Sequence, residues 1–289
     1  MKNLIFSISL LFCLPLFAQE GDESQKSVIQ EYTPSKLLEI GQWDIKWFNN
    51  LYTQTNSTFT SGKEPRESYF TSSLEVFTGV SKENRLNVGV FAELRSNVIN
   101  DRNALDVFKF DGETNSARSG LTSFAVAVKF SPLRKVSNFS VLSAFHIPLV
   151  DNEVENGVFL DQKGFIWQNK LFYDFSFSED KFQLYTELNT EFNFGKSEDS
   201  FANNSLNLVP GLFLSYFPSQ KFTLLVLAQH NQRLDLGNDF EQNFSSFGGG
   251  AKYQISRVLN VEALYTNFIW GHNTGLGETF NLGLRALFH

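Results

Sequence analysis

Residues 85–98 read RLNVGVFAELRSNV, and the even positions Leu86, Val88, Val90, Ala92, Leu94 and Val98 are apolar, with only Ser96 breaking the run. The odd positions carry Arg85, Asn87, Glu93, Arg95 and Asn97. A period of two marks a strand whose faces meet different surroundings. The same alternation recurs along the chain. Before this segment it runs through Trp43, Ile45, Trp47 and Leu51, then Phe70, Leu74, Val76 and Val80. After it come segments headed by Phe124, Phe139, Phe165, Phe182, Leu206, Phe222, Phe247, Leu259 and Phe280. Together these predict twelve strands.

A soluble sheet turns its apolar face to a core, whereas a membrane barrel turns it to lipid and its polar face to the lumen. The connections separate the two. Long polar links occupy about 54–67, 98–119, 150–163, 195–204, 232–243 and 271–277, and between them lie the short links SKEN at 81, SPLRKVS at 131, FSED at 177, FPSQ at 217 and ISRV at 255. Strict alternation suits up-and-down strands with both chain ends on the short-turn side. A Greek-key sandwich has no reason to sort its loops by parity. Aromatics also gather at both ends of the apolar faces, with Trp43, Phe130, Phe175 and Phe288 near the short turns and Phe70, Phe165, Trp167 and Phe194 near the long loops. Such rings resemble interfacial girdles. The fold class is therefore all-β, a transmembrane up-and-down antiparallel β-barrel of about twelve strands, over residues 41–289. On this phase an Arg at Val90 meets lipid and is costly, while one at Asn87 meets the lumen and is cheap.

Two segments precede the barrel. Lys2, then Asn3 and the run LIFSISLLFCLPLFA ending in Ala18, make residues 1–18 a Sec signal peptide, which sends the chain out of the cytoplasm and, with the barrel, to the outer membrane. Residues 19–40 form a periplasmic leader in which Thr33, Pro34 and SKLLEI, closed by Gly41, read as a short helix; the leader is either a plug for the periplasmic mouth or, as is more common, a solvated tether. Composition narrows the reading further. There are 32 Phe against one Met, and no second run of ~18 apolar residues follows the first, so helical membrane spans are excluded. A formal charge of −7 argues against nucleic acid as a partner. The one cysteine, Cys13, falls in the signal segment, which leaves no thiol for metal binding or nucleophilic attack.

Chemistry, if any, belongs in the lumen. Inward positions carry Lys46, Arg85, Arg95, Lys129, Lys170, Lys181, Lys252 and Arg285 against Asp44, Glu75, Glu93, Asp174, Glu187, Glu191 and Glu262. Near-balance of the two signs fits cross-strand pairs that satisfy one another. It also fits a polar path whose constriction these groups define, in which case Lys46, Glu75, Arg85, Glu93, Arg95, Lys170, Asp174, Glu187, Glu191 and Arg285 are the candidate lumen-lining set. Phe48, Tyr52, Phe77, Phe91, Phe172, Tyr185 and Phe213 share that face and suit a partly apolar small molecule, or simply fill space. In the loop DNEVENG, Asp151, Glu153 and Glu155 offer oxygens of the kind Ca²⁺ takes, without the full twelve-residue calcium pattern. Pro210 lies inside a strand, where it costs a ladder bond unless a bulge takes it, and Gly248–Gly250 permit sharp coiling.

Three family resemblances follow from these residues. The last strand, NLGLRALFH, resembles the C-terminal strand of Gram-negative outer-membrane barrels, which implies the outer-membrane insertion machinery as a partner; here Phe288 is followed by His289. YTQTNS at 52–57 and AQHNQR at 228–233 resemble fragments of the outer-membrane phospholipase A family, but His230 is followed by Asn231, Gln232 and Arg233 where that family has its nucleophile signature. No catalytic residue, cofactor or metal ligand is assigned, His146 and His272 included. A Gln-Trp-Asp start to the first strand after a short leader, with twelve strands of this spacing, is similar to the outer-membrane proteins named for the meta-pathway of phenol degradation. That likeness implies passage of small hydrophobic or aromatic compounds. The reading is a non-enzymatic channel or transporter in outer-membrane lipid. The alternatives are a structural or surface-binding barrel with a closed lumen and, third, a lipid-acting enzyme.

Overall fold

A computed structural model describes residues 33–195, 204–237 and 240–289, and the proposed signal segment lies outside them. Twelve antiparallel strands close on themselves. They are β1 (Trp43–Gln54), β2 (Glu67–Gly79), β3 (Leu86–Val98), β4 (Ala117–Phe130), β5 (Phe139–Pro148) and β6 (Phe165–Phe177). The second half continues with β7 (Phe182–Phe194), β8 (Ser205–Ser219), β9 (Phe222–Asp235), β10 (Gln242–Gln254), β11 (Leu259–His272) and β12 (Glu278–Phe288). Each strand pairs with its neighbours in sequence, and β1 pairs with β12 from Trp43↔Phe288 to Thr53↔Glu278. Most strands run 12–15 residues, longer than the ~9–11 needed to cross hydrocarbon at a tilt.

The expected phase is the observed one. Val88, Val90, Val126, Leu184, Val226 and Leu282 stand exposed on the outside, while Asn87, Phe91, Phe172 and Tyr185 are buried inside. An outer face this apolar would be untenable in water and is the lipid-facing belt of a membrane barrel. The phase is not uniform along every strand. Thr122 is an extra residue in β4, since Glu93 pairs with Ser123 and Leu94 with Leu121. A single inserted residue swaps the faces, so below it Phe124, Val126 and Val128 face out and above it Leu121 and Ala117 do. Ile269 plays the same part in β11, where Ser245 pairs with Trp270 and Ser246 with Phe268.

Three expectations are corrected. Leu51, Phe70 and Val98 point outward as the alternation says, yet they do not meet lipid, because a six-residue 3₁₀ helix (Ala104–Lys109) from the β3–β4 loop covers them. The leader is not helical where it is described. Residues 33–36 make one turn, closed by Lys36 N–H donating to Thr33 O at 3.0 Å, and extended chain follows as far as a parallel bridge between Ile40 and Gly79. Asn87 is no tolerant site either, since it is 2% exposed and its Oδ1 accepts from Leu38 N at 3.1 Å.

The test of phase therefore needs another lumen position. Ser73 pairs with Glu93 across β2 and β3, so an Arg there gains a carboxylate. Val90→Arg is expected to lose about 2–4 kcal/mol and Ser73→Arg little, read by urea titration of refolding into lipid vesicles. Equal losses at both positions would refute the assigned faces.

Candidate functional site: the occluded lumen

The short-turn mouth is built from β1, β2 and β12, whose inward residues meet across two ladders. Lys46 pairs in register with Glu75 on one side and Arg285 on the other. Arg285 donates Nε to Asp44 Oδ1 and Nη2 to Asp44 Oδ2, each at 2.8 Å, a fork-on-fork contact. Lys46 Nζ lies 3.9 Å from Asp44 and 3.6 Å from Glu75, so two cations share two carboxylates. On the neighbouring β10–β11 ladder Lys252 meets Glu262 at 2.6 Å, again a directly opposed pair. Opposite charges at opposed lumen positions are how a polar interior holds ions that lipid would not.

The leader enters this mouth. Thr33 Oγ1 donates to Asp174 Oδ1 at 2.9 Å and Ser35 Oγ donates to the same oxygen, while Lys129 Nζ donates to the carbonyls of Pro34 at 2.5 Å and Lys36 at 2.7 Å. Leu38 is 3% exposed and packs into a lumen cluster with Phe77, Phe91, Leu142, Phe172 and Tyr185. The path runs so close to β2 that a Cβ at Gly79 would sit 2.2 Å from Glu39 O. Where the leader turns into β1, Gln42 and His289 approach to 3.0 Å between their side-chain nitrogens, which brings both ends of the barrel segment together.

Above the leader the lumen keeps a cavity of about 310 Å³. Phe77, Phe91, Phe172, Tyr185 and Phe213 wall it, with Lys170, Glu187 and the mouth pairs completing the lining. Toward the long loops Arg95 bonds Glu93 at 2.7 Å and Asp161 at 3.1 Å, and Glu191 accepts from Gln168 and Asn189, both at 2.9 Å. Burial pushes the Asp161 carboxyl above its ordinary value, against the pull of Arg95.

Of the candidate set, Lys46, Glu75, Lys170, Glu187 and Arg285 line this cavity. Asp174 holds the leader, and Glu93, Arg95 and Glu191 lie higher in the barrel. Arg85 stands apart in the turn before β3, donating to Ser131 O at 2.6 Å. Lys181 likewise falls in the turn between β6 and β7. The roles of Thr33, Ser35, Leu38 and Asp161 went unread because each acts on a residue far away in sequence. The acidic loop organises itself around Arg118, which bonds the carbonyls of Asn152 and Glu153 at 2.7 and 3.0 Å and lies 3.7 Å from Glu155.

The outer wall has a hollow of about 660 Å³ over β5–β11. Its floor is small, with Thr186, Pro210, Gly211 and Ala228 among its lining residues, and the β8–β9 register passes from Leu208↔Gln232 to Gly211↔Gln229 without pairing Val209 or Pro210. Phe172 and Glu187, an opposed pair on β6 and β7, border both this hollow and the lumen cavity. His230 lies here with Nδ1 2.9 Å from Ser245 Oγ. Its ring stacks on Trp270.

No family model matches the chain, and no curated protein matches it in sequence. Solved structures do resemble it. An outer-membrane channel from Pseudomonas putida F1 superposes with a TM-score of 0.66 at 11% identity, over 89% of this chain and 99% of that one. The β domain of the Bordetella autotransporter BrkA gives 0.57 at 10% identity, over 86% and 99%. The translocator domain of autotransporter NalP from Neisseria meningitidis gives 0.50 at 11%, over 85% and 88%. At such identities the likeness shows the outer-membrane barrel fold and not a shared activity.

The mouth network makes a definite demand. Asp44→Asn leaves Arg285 without its bidentate acceptor and is expected to lower stability by about 3 kcal/mol in the same refolding titration. Replacing Asp44 by Leu and Arg285 by Met together should restore most of the loss.

Proposed function

We propose that the chain is an outer-membrane channel for small, partly apolar molecules, with its own leader as the resting stopper. The observation that carries this reading is the cavity itself, walled largely by aromatic rings and stopped at the short-turn end by residues 33–38. A merely structural barrel has no need of a cavity closed by a side-chain latch, whereas a transporter must keep a path that does not leak. Aromatic walls with a few polar groups favour compounds that are neither salts nor long chains. The resemblance to the phenol meta-pathway family points to the same substrate class. The hollow at Pro210, which shares Phe172 and Glu187 with the cavity, supports entry from the side of the barrel as well as from above.

Gly79→Val tests the stopper without touching the ladder, because the added side chain takes the space of the Leu38 and Glu39 carbonyls. In planar bilayers the parent chain is expected to show small or rare openings and Gly79→Val a conductance several-fold higher. Vesicles bearing the variant should take up toluene faster than glucose. A variant that stays shut to ions and to toluene while correctly folded would favour the closed structural barrel instead.

A further inference from the structure

The β3–β4 loop does not stand above the mouth but folds down over the outside of the barrel. Val107, at the centre of its 3₁₀ helix, is 0% exposed and packs with Leu51, Phe70, Val98 and Ala117, all outward residues of β1–β4. Ser96 Oγ donates to Val107 O at 2.6 Å, and Gly112 N donates to Ser119 Oγ at 3.1 Å, so the segment is pinned to the outer face at its centre and just beyond its C-terminal end. The segment also holds its own shape. Asn103 Oδ1 caps the first turn by accepting from Leu105 N at 2.9 Å, and Arg102 bridges Asp106 at 3.2 Å and Asp111 at 2.6 Å.

Its free side is apolar. Leu105 is 62% exposed, Phe108 49% and Phe110 37%, and they face away from the barrel at the height where its aromatic ring runs. Elsewhere around the wall that ring is made by Phe165, Trp167, Phe194 and Trp270, all exposed. On β1–β4 the corresponding residue, Phe70, is covered. Phe108 lies edge-on to it at 4.9 Å between centroids and Phe110 at 6.2 Å, so the loop's rings stand in front of the one they hide.

We infer that residues 104–110 are a membrane foot, a loop whose Leu105, Phe108 and Phe110 insert among the acyl chains of the outer leaflet just below its headgroups. The patch is carried on the outward face of β1–β4, a wall whose outward residues meet lipid, and exposed Lys109 beside it is left to the headgroups, which is why lipid is its occupant. Three side chains are also far short of the ~800 Å² per partner of a stable protein interface. The consequence is an interaction surface that ties the extracellular side of the barrel to one depth in the bilayer.

Site-directed fluorescence tests this. The full chain carrying Cys13→Ser and one of Leu105→Cys or Phe108→Cys is labelled with a nitrobenzoxadiazole dye in phosphatidylcholine vesicles doped with nitroxide lipids. Val90→Cys serves as the mid-membrane reference and Asp151→Cys as the aqueous one, with heat-modifiable gel mobility confirming folding. Dyes at 105 and 108 are expected to be blue-shifted and quenched at least twofold more by a nitroxide near the headgroup than by one deep in the chains. The order should reverse at 90, and both nitroxides should spare 151. Dyes at 105 and 108 that behave like 151, or shielding lost on diluting the protein into more lipid, which a second copy would produce, overturn the proposal.

Discussion

Hydrocarbon offers no water to a backbone N–H or C=O, so a chain that crosses it in strands must pair every one of them with another strand. The ladder from Trp43↔Phe288 to Thr53↔Glu278 meets that demand by removing the last two edges. The rest follows from closure. An even number of antiparallel strands puts both ends of the barrel segment on one side, and the contact of Gln42 with His289 shows how close they come. A leader joined to β1 at that rim has two directions open to it, away into the periplasm or up into the lumen. Inside, Asp174 and Lys129 supply an acceptor and a donor on β6 and β4, and the leader takes the second route.

The leader and the wall are held by different kinds of contact. Asp44, Arg285, Lys46 and Glu75 are wall residues that neutralise one another and would do so with the leader gone. The leader is held mostly through main-chain groups, since Lys129 bonds two carbonyls, Asn87 bonds the Leu38 N–H and Ile40 bridges to Gly79. Sequence enters at Thr33, Ser35 and Leu38, where two hydroxyls and one apolar side chain fit the Asp174 carboxylate and the aromatic cluster. Segments outside the regular ladder, held by a finite set of bonds and not by continuous strand pairing, are where moving parts are drawn from. That is the position of the leader relative to the twelve-strand ladder.

The strands, their faces and the parity of the loops were legible because a period of two is a local signal that a closed sheet obeys almost everywhere. It fails at single residues. Nothing around Thr122 or Ile269 marks an inserted position, and each swaps the faces of the strand above it. The lumen charges were legible as a set, since the inward face is fixed once the phase is known, but Arg85 falls outside it because β3 begins one residue later. The leader misled for a different reason. Thr33, Pro34 and Gly41 carry sound helix-end chemistry, yet a helix would withdraw the Leu38 N–H and the Pro34 and Lys36 carbonyls from Asn87 and Lys129. Distant partners outweighed a local preference worth little in so short a segment. The burial of Phe70 and Val98 under a loop was invisible for the same reason, as both read as ordinary lipid-facing residues.

These features make the cylinder unequal around its circumference. At the long-loop end of β1–β4 the wall is doubled, with Val107 and its neighbours packed over Leu51, Phe70, Val98 and Ala117. On the other side, β8 and β9 lose two register pairs at Val209 and Pro210, and Gly211 and Ala228 leave the wall little more than one backbone thick. Proline cannot donate to the ladder, so the missing pairing there is a property of the residue and not of one conformation. The gap is local, since this ladder still keeps eleven register pairs against eight on either side of β5, and it lies beside the aromatic cavity.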